Sequence, residues 1–255
     1  MVGETPTLEY NIAVKIDYDA IAQVYARNRR INARTLERLL QLGRLEKSSR
    51  VLEVGCGSGN YSSAIANLIG CNCHGLEPSE GMLAKAKAQN AAVVWTQGDA
   101  HTLSYPNNSF DFLFCVDVIH HVPNTKLLLN EAFRVLTAEG RLCIASDSEW
   151  TIRNRHPLSV YFPETIEKEL ERYPSPERLK TLLTECGFSE ANDEIVELPY
   201  QLERADAYKE KSFSCLQLIS ESAFLTGLHA MERDLSRGPI SCVDRHAVLS
   251  ATKKE

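Results

Sequence analysis

No apolar run in this 255-residue chain approaches the roughly 20 residues needed to cross a bilayer. Residues 1–10 lack a basic stretch followed by an apolar one, so no secretory signal is legible. Positive charge is also short, with 28 basic residues against 34 acidic ones and a net charge of −6. That balance argues against a protein that coats nucleic acid, although a local basic patch is not excluded by it. Internal repeats and low-complexity tracts are absent. The eight cysteines form no CxxC pair, and no histidine stands beside them at zinc-ligand spacing, so no metal is expected. What is present is ordinary globular material, 44% hydrophobic and 24% charged, enough for one large domain or one domain with a cap. The expectation is a soluble, cytoplasmic chain.

Most cysteines lie inside apolar runs, such as Phe114-Cys115-Val116 and Leu142-Cys143-Ile144, and read as small buried hydrophobes in a reducing compartment. Cys71 and Cys73 alternate along a strand and share one face. Residues 18–46 have a helical pattern. From Arg50 the rhythm changes to short apolar strands (51–54, 71–76, 93–95, 110–118, 141–146) separated by helices (61–69, 80–89, 126–136). Such alternation, with continuous apolar strands, predicts a parallel sheet covered on both faces. It breaks after Ser146. Residues 147–174 read as an irregular insert, 176–186 as a helix closed by Gly187, 188–198 as a strand, 203–236 as helical and 245–251 as a final strand. The organisation expected is a helical lid segment over 1–47 and an α/β domain over 48–255, with cap inserts at about 147–174 and 200–236.

The most informative stretch is Val51-Leu52-Glu53-Val54-Gly55-Cys56-Gly57-Ser58-Gly59, a strand running into three alternate glycines before a helix. Glycines permit a tight turn and close approach of a ligand, and the helix N-terminus offers free N–H groups to an anion. A dinucleotide site asks for G-x-G-x-x-G, but the third position here is Asn60, and the shifted frame gives Ser62. An acid inside the strand, Glu53, is awkward beside a diphosphate and suits a ligand with an ammonium and a sulfonium. Glu77 ends the next strand, where a carboxylate accepts from both hydroxyls of a ribose. Asp99 follows the third strand in Gly98-Asp99-Ala100, placed to accept from an exocyclic amino group. Three acids at the C-terminal ends of three successive parallel strands mark a ligand site.

Together with Glu77-Pro78-Ser79-x-x-Met82-Leu83, Phe110-Asp111, His120-His121-Val122-Pro123 and Glu131-x-x-Arg134-Val135-Leu136-x-x-x-Gly140, these motifs resemble the class I S-adenosylmethionine-dependent methyltransferases. The closest pattern is the methyltransferase type 11 group, to which quinone-biosynthesis C-methyltransferases are related. The resemblance covers about 50–147 strongly. It implies a Rossmann-like α/β fold with a seven-stranded sheet, the last strand antiparallel, helices on both faces and a small helical cap. It implies that Glu53 and the Gly55, Gly57, Gly59 turn hold the methionine end of S-adenosyl-L-methionine. Glu77 would bind the ribose, Pro78 and Met82 would pack on the adenine, and Asp99 and Ala100 would meet its amino group and ring. Cys115 on the fourth strand joins this cofactor-binding set, as does Tyr25 of the lid segment, where Tyr18 or Tyr25 would close over the methyl group.

Methyl transfer from a sulfonium needs an aligned acceptor, exclusion of water and, for a hydroxyl or acidic carbon, removal of a proton. His121, after the fourth strand, is the candidate catalytic base, and a structural role in its loop is the alternative. Asn124 is placed to cap the following helix. The basic residues crowd into 27–50, with Arg30, Arg34 and Arg38 on one helix face. They are either a solvated face or a binding surface for an anionic acceptor or RNA. The lid motif is also somewhat similar to that of tRNA wobble-uridine methyltransferases. Aromatic residues at Trp150, Tyr161, Phe162, Tyr173, Phe213 and Phe224 suit either an apolar acceptor pocket or a small core of the cap. The expected function is methyl transfer to a small organic acceptor. Alternatives are an RNA methyltransferase, a non-catalytic cofactor-binding protein and, against the glycine spacing, a nicotinamide oxidoreductase. Oligomeric state is not legible.

Overall fold

The alternation from Arg50 onward folds as its periodicity requires. The computed structural model describes residues 18–254, apart from the side chains of Tyr18, Ala20, Ile21 and Tyr25. Two helices, α1 (Tyr18–Asn28) and α2 (Ala33–Gly43), precede β1 (Arg50–Val54), α3 (Asn60–Ile69), β2 (Asn72–Glu77), α4 (Glu80–Gln89), β3 (Val94–Gln97) and β4 (Phe110–Val116). A 3₁₀ turn at Ile119–His121 leads to α5 (Thr125–Val135) and β5 (Leu136–Ser146). Three short helices follow, α6 (Glu149–Arg153), α7 (Leu158–Tyr161) and α8 (Thr165–Leu170), then α9 (Pro176–Glu185) and β6 (Phe188–Leu202). The chain closes with α10 (Asp206–Lys209), a 3₁₀ turn at Ser214–Gln217, α11 (Glu221–Leu235) and β7 (Ile240–Lys253).

The seven strands form one sheet in the order β3-β2-β1-β4-β5-β7-β6. β1 to β5 run parallel, and β7 inserts antiparallel between β5 and β6. Strand residues alternate between two cores. Leu52, Val54, Leu113, Cys115, Leu142 and Ile144 pack under α5 and α9, while Val51, Phe112, Phe114, Cys143 and Ala145 pack under α2 and α3. A third core joins the segments on either side of β6, with Phe162 of the 147–174 insert against Tyr208, Leu216, Phe224 and Met231. The cap aromatics Phe162, Phe213 and Phe224 therefore serve packing, and Trp150 stands exposed with the Arg245 guanidinium over its ring.

Three boundaries differ from the sequence reading. β5 begins at Leu136 rather than Arg141, because the chain turns straight from α5 into the sheet and then bulges. Glu139 takes a positive φ of 61° there. β6 and β7 run to Leu202 and Lys253, longer than 188–198 and 245–251. β6 is the edge strand, its residues after the buried Phe188 half-buried or exposed, so most of its length carries no apolar signal. Residues 203–236 are not one helix but α10, a 3₁₀ turn and α11, with Ser220 capping the last through a bond from Ala223 N–H. Asn124 caps α5 as expected. All eight cysteines are reduced and buried.

The Glu131-x-x-Arg134 motif proves to be a clamp on the loop after β3. Arg134 donates to the carbonyls of Leu103 and Tyr105 at 2.8 and 2.7 Å, and Glu131 accepts from Leu103 N–H at 2.8 Å. Hydrogen bonds to charged groups contribute about 1.5–3 kcal/mol each. Arg134→Met is expected to lower unfolding free energy by about 2 kcal/mol in urea titration, without touching ligand contacts.

Candidate functional site

The glycine turn is stitched to the end of β2, since the N–H groups of Gly55 and Cys56 both donate to the Leu76 carbonyl, at 2.7 and 3.0 Å. Gly55, Gly57 and Gly59 all have positive φ, at 72°, 53° and 82°. A Cβ on Gly55 would lie 2.4 Å from Val118 Cγ2, and one on Gly59 2.5 Å from the Trp95 ring. Gly59 is the N-cap of α3 and supplies no side-chain bond; Glu53 takes the Ser62 N–H, which leaves the N–H groups of Asn60 and Tyr61 for an anion.

The two strand-end acids are held by backbone. Glu53 is buried, and its Oε2 accepts from Ser62 N–H at 2.9 Å and Ser62 Oγ at 2.6 Å. Burial outweighs those bonds and raises its carboxyl to about 8. Glu77 accepts from Gly57 N–H at 2.9 Å on one oxygen and from Ser79 N–H at 3.0 Å on the other. Burial raises Glu77 as well. A carboxylate has about four acceptor positions, so Glu77 keeps capacity for two hydroxyls.

The remaining expected cofactor residues are spread along the same edge. Pro78 is exposed and Met82 is buried in α4, its N–H on the Ser79 hydroxyl that caps the helix. Asp99 follows β3, with Oδ1 accepting from its neighbour His101 N–H at 2.6 Å, and Ala100 rests on the α5 side of the core. Cys115 does not reach the site, because its side chain points into the core under α5, where burial pushes the thiol up to about 12. Tyr25 lies on α1 with its side chain outside the described residues, as does that of Tyr18.

Glu53, Gly55 and Gly57 open onto one cavity shared with Asp117, His121 and Arg155. Asp117, just past β4, has a positive φ of 56° that turns its carboxylate to this wall. Arg29, between α1 and α2, donates to it, and His246 of β7 approaches at 3.3 Å through Nε2, its Nδ1 lying 2.8 Å from Thr35 Oγ1. Burial opposes both charges, but the pairing wins. His246 rises to about 9, while His246 and Arg29 hold Asp117 far below the usual carboxylate range. Burial, followed by the charge of Arg172 at 3.4 Å from Nδ1, lowers His121 to about 4. His120 stacks on Tyr173 at 4.0 Å between ring centroids. Asp147, past β5, and Glu169 of α8 both accept from Arg155 Nη1, at 3.2 and 3.1 Å.

Sequence reading missed Asp117, Asp147, Arg155, Glu169 and His246. Asp117 and Asp147 were open to the rule that found the first three acids, since each ends a parallel strand. The other three come from the cap or β7 and carry no local signal. The basic run of 27–50 is largely neutralised among the described residues, with Arg27 on Glu210, Arg34 on Glu37, Arg38 on Glu194 and Arg50 on Asp111.

Residues 52–144 match the family Methyltransf_11, described as a methyltransferase domain. The chain is an S-adenosylmethionine-dependent methyltransferase. It is 29% identical over 199 residues to a demethylmenaquinone methyltransferase of Listeria monocytogenes, covering 74% of this chain and 80% of that protein. It is 28% identical over 124 residues to the sterol 24-C-methyltransferase erg6 of Schizosaccharomyces pombe, covering 46% and 32%. The YcgJ protein of Bacillus subtilis shares the fold with a TM-score of 0.62 at 19% identity, over 88% of this chain and 100% of that one. Haemonchus contortus phosphoethanolamine N-methyltransferase 2, solved with S-adenosyl-L-methionine, gives a TM-score of 0.63 at 21% identity, over 93% and 57%. The glycine turn of this methyltransferase, which a Cβ would fill, and the two acids with acceptor capacity beside it fit that molecule.

The His246–Asp117 pair gives the methyltransferase a pH signature. Its folded pKa of about 9 lies above the ordinary 6.5, so its stabilisation is complete below pH 6.5 and lost as pH rises through 9. Denaturation midpoints are expected to fall across that window, by at most a few kcal/mol in stability. His246→Gln should flatten the slope.

Proposed function

We propose that this methyltransferase moves the sulfonium methyl of S-adenosylmethionine onto a small organic acceptor seated in the cavity between the glycine turn and the cap helices. The observation that carries this reading is that Glu53, Gly55 and Gly57 share one cavity wall with Asp117 and His121. The methyl donor supplies an activated methyl group and a neutral leaving group. The chain supplies placement. Glu53 accepts from the donor's ammonium, the N-terminus of α3 faces its carboxylate, and Glu77 takes the ribose hydroxyls. Pro78, Met82, Asp99 and Ala100 form the adenine end, and Tyr25 lies on the lid helix that α1 makes against α4. Asp19 ties that helix down by accepting from Ser79 Oγ at 2.6 Å and Gly81 N–H at 2.8 Å. Of the 1–47 segment expected as the lid, residues 18–47 act in that role and 1–17 lie outside the described residues, and the inserts at 147–174 and 200–236 wall off water from the acceptor.

His121 is the group that takes a proton where the acceptor has one to lose. It is neutral at physiological pH, the form a base requires, although a pKa of about 4 gives it a modest driving force. The reduced, buried cysteines suit a reducing compartment, and we place the reaction in the cytoplasm. No helix among the described residues is long and apolar enough to cross a membrane.

Calorimetry with S-adenosylhomocysteine tests the donor site, and absence of binding overturns the reading. If an ammonium sits on Glu53, its carboxyl must ionise on binding at pH 7, so the heat should vary with the buffer's ionisation enthalpy. Glu53→Gln should remove that dependence, and a buffer-independent heat in the wild type would contradict the assignment. His121→Ala is expected to cut turnover by about 10²–10⁴. A change of only a few-fold, with unchanged donor affinity, would leave His121 a structural residue of its loop.

A further inference from the structure

Arg155 has half of its guanidinium committed and half of it idle. Nη1 serves both Asp147 and Glu169. Nε and Nη2 are buried with no hydrogen-bond partner. Those two nitrogens form one side of the guanidinium, where parallel N–H bonds are spaced to meet two oxygens of one group. A buried donor without a partner is costly, more so on a charged group, so a complete unused fork calls for an occupant. Around it, Asp147 Oδ1, Ser146 Oγ and His120 Nδ1 are also buried and unbonded. Arg155, Asp147 and His120 all line the cavity that holds Glu53 and Asp117.

We propose that the Nε–Nη2 edge of Arg155 anchors an oxyanion, a carboxylate or a phosphate, carried by the methyl acceptor. This rests on the methyltransferase reading of the cavity and narrows its substrate class. The neighbouring acids do not repel such a group strongly. Glu169 is balanced by Arg172, whose Nη1 lies 2.7 Å away, and Asp147 is paired with Arg155 Nη1 itself at 3.2 Å. Arg155 itself stays charged, since Asp147 and Glu169 outweigh the effect of burial on it. Arg30, exposed on the same cavity, adds a positive charge for an incoming anion. The donor's own carboxylate has the open N-terminus of α3 and does not need this edge.

The test begins with S-adenosylhomocysteine affinity of the wild type, measured without added anion. The loaded protein is then titrated calorimetrically with inorganic phosphate, with benzoate and with uncharged benzyl alcohol. One anion is expected to bind, and which one it is separates a phosphate ester from a carboxylic acid. Arg155→Met should lose at least tenfold in that affinity, and Arg155→Lys, which keeps the charge but not the fork, should lose most of it. Both should keep wild-type affinity for S-adenosylhomocysteine and wild-type circular dichroism. Arg153→Met, at an exposed site on α6, should bind the anion normally. Should Arg155→Met fail to fold, Arg155→Lys decides. Binding of neither anion, or equal binding by the folded variants, overturns the proposal. So does a tenfold loss of S-adenosylhomocysteine in a folded variant, which would give the edge to the donor's carboxylate. If the wild type binds no S-adenosylhomocysteine, the methyltransferase reading fails, and titrating the anions into the unloaded protein still tests the anchor.

Discussion

Two carboxylates buried at the ends of β1 and β2 constrain everything near them. Taking Glu53 and Glu77 out of water is unfavourable, and what offsets it comes chiefly from backbone N–H groups at Ser62, Gly57 and Ser79. Gly57 can present its N–H to Glu77 because the chain turns through three positive-φ residues in five positions. Side chains at those positions would strain the backbone, and at Gly55 and Gly59 they would also collide with Val118 and Trp95. The turn then delivers Ser62 to the first helical turn of α3, where its N–H and hydroxyl meet Glu53. Acid, glycine turn and helix start are therefore one unit. None of the three could be moved by a residue without leaving a buried carboxylate unbonded.

The opposite wall obeys the same rule with different donors. Asp147 and Glu169 are buried and Asp117 half-buried against the cap, and they are met by the side chains of Arg29, His246, Arg155 and Arg172. These partners come from the α1–α2 connection, from β7 and from the cap. The charges at the strand ends thus fasten the lid and the cap to the sheet. A buried ion cluster of this kind is poor evidence for stability, because desolvation consumes most of the Coulomb gain. Its effect is on placement. The fork of Arg155 is held at a fixed orientation by two carboxylates on Nη1.

This division explains what could be read from the chain. Glu53, the glycines, Glu77 and Asp99 form a signal because each sits within a few residues of the strand end that positions it. The sheet was legible where strands are buried on both faces, as in β4, and blurred at β6, whose exposed edge leaves its residues free to be polar. His246 meets Asp117 across 129 residues of sequence, and Arg155 depends on the fold of three short helices. No local spacing records such meetings. Cys115 shows the reverse error. It lies on the right strand, but side chains alternate, and its position faces α5 while its neighbours Val116 and Asp117 reach the cavity.

The character of that cavity bears on what enters it. An acceptor of pure hydrocarbon would strip water from Asp117, Asp147 and Arg155 and return no hydrogen bond, leaving donors and acceptors unpaired in a low-dielectric space. An acceptor with a polar or charged group replaces the water it displaces. Phe162 and Phe224 are spent on the core between α7, α10 and α11, while Tyr173, Tyr208 and Phe213 also reach the cavity wall. The cap is thus apolar where it holds itself together and mixed where it faces the site, with Asp147, Arg155 and Glu169 set among Leu158, Tyr173 and Phe213. Such a surface suits an acceptor that carries both an apolar body and a polar group.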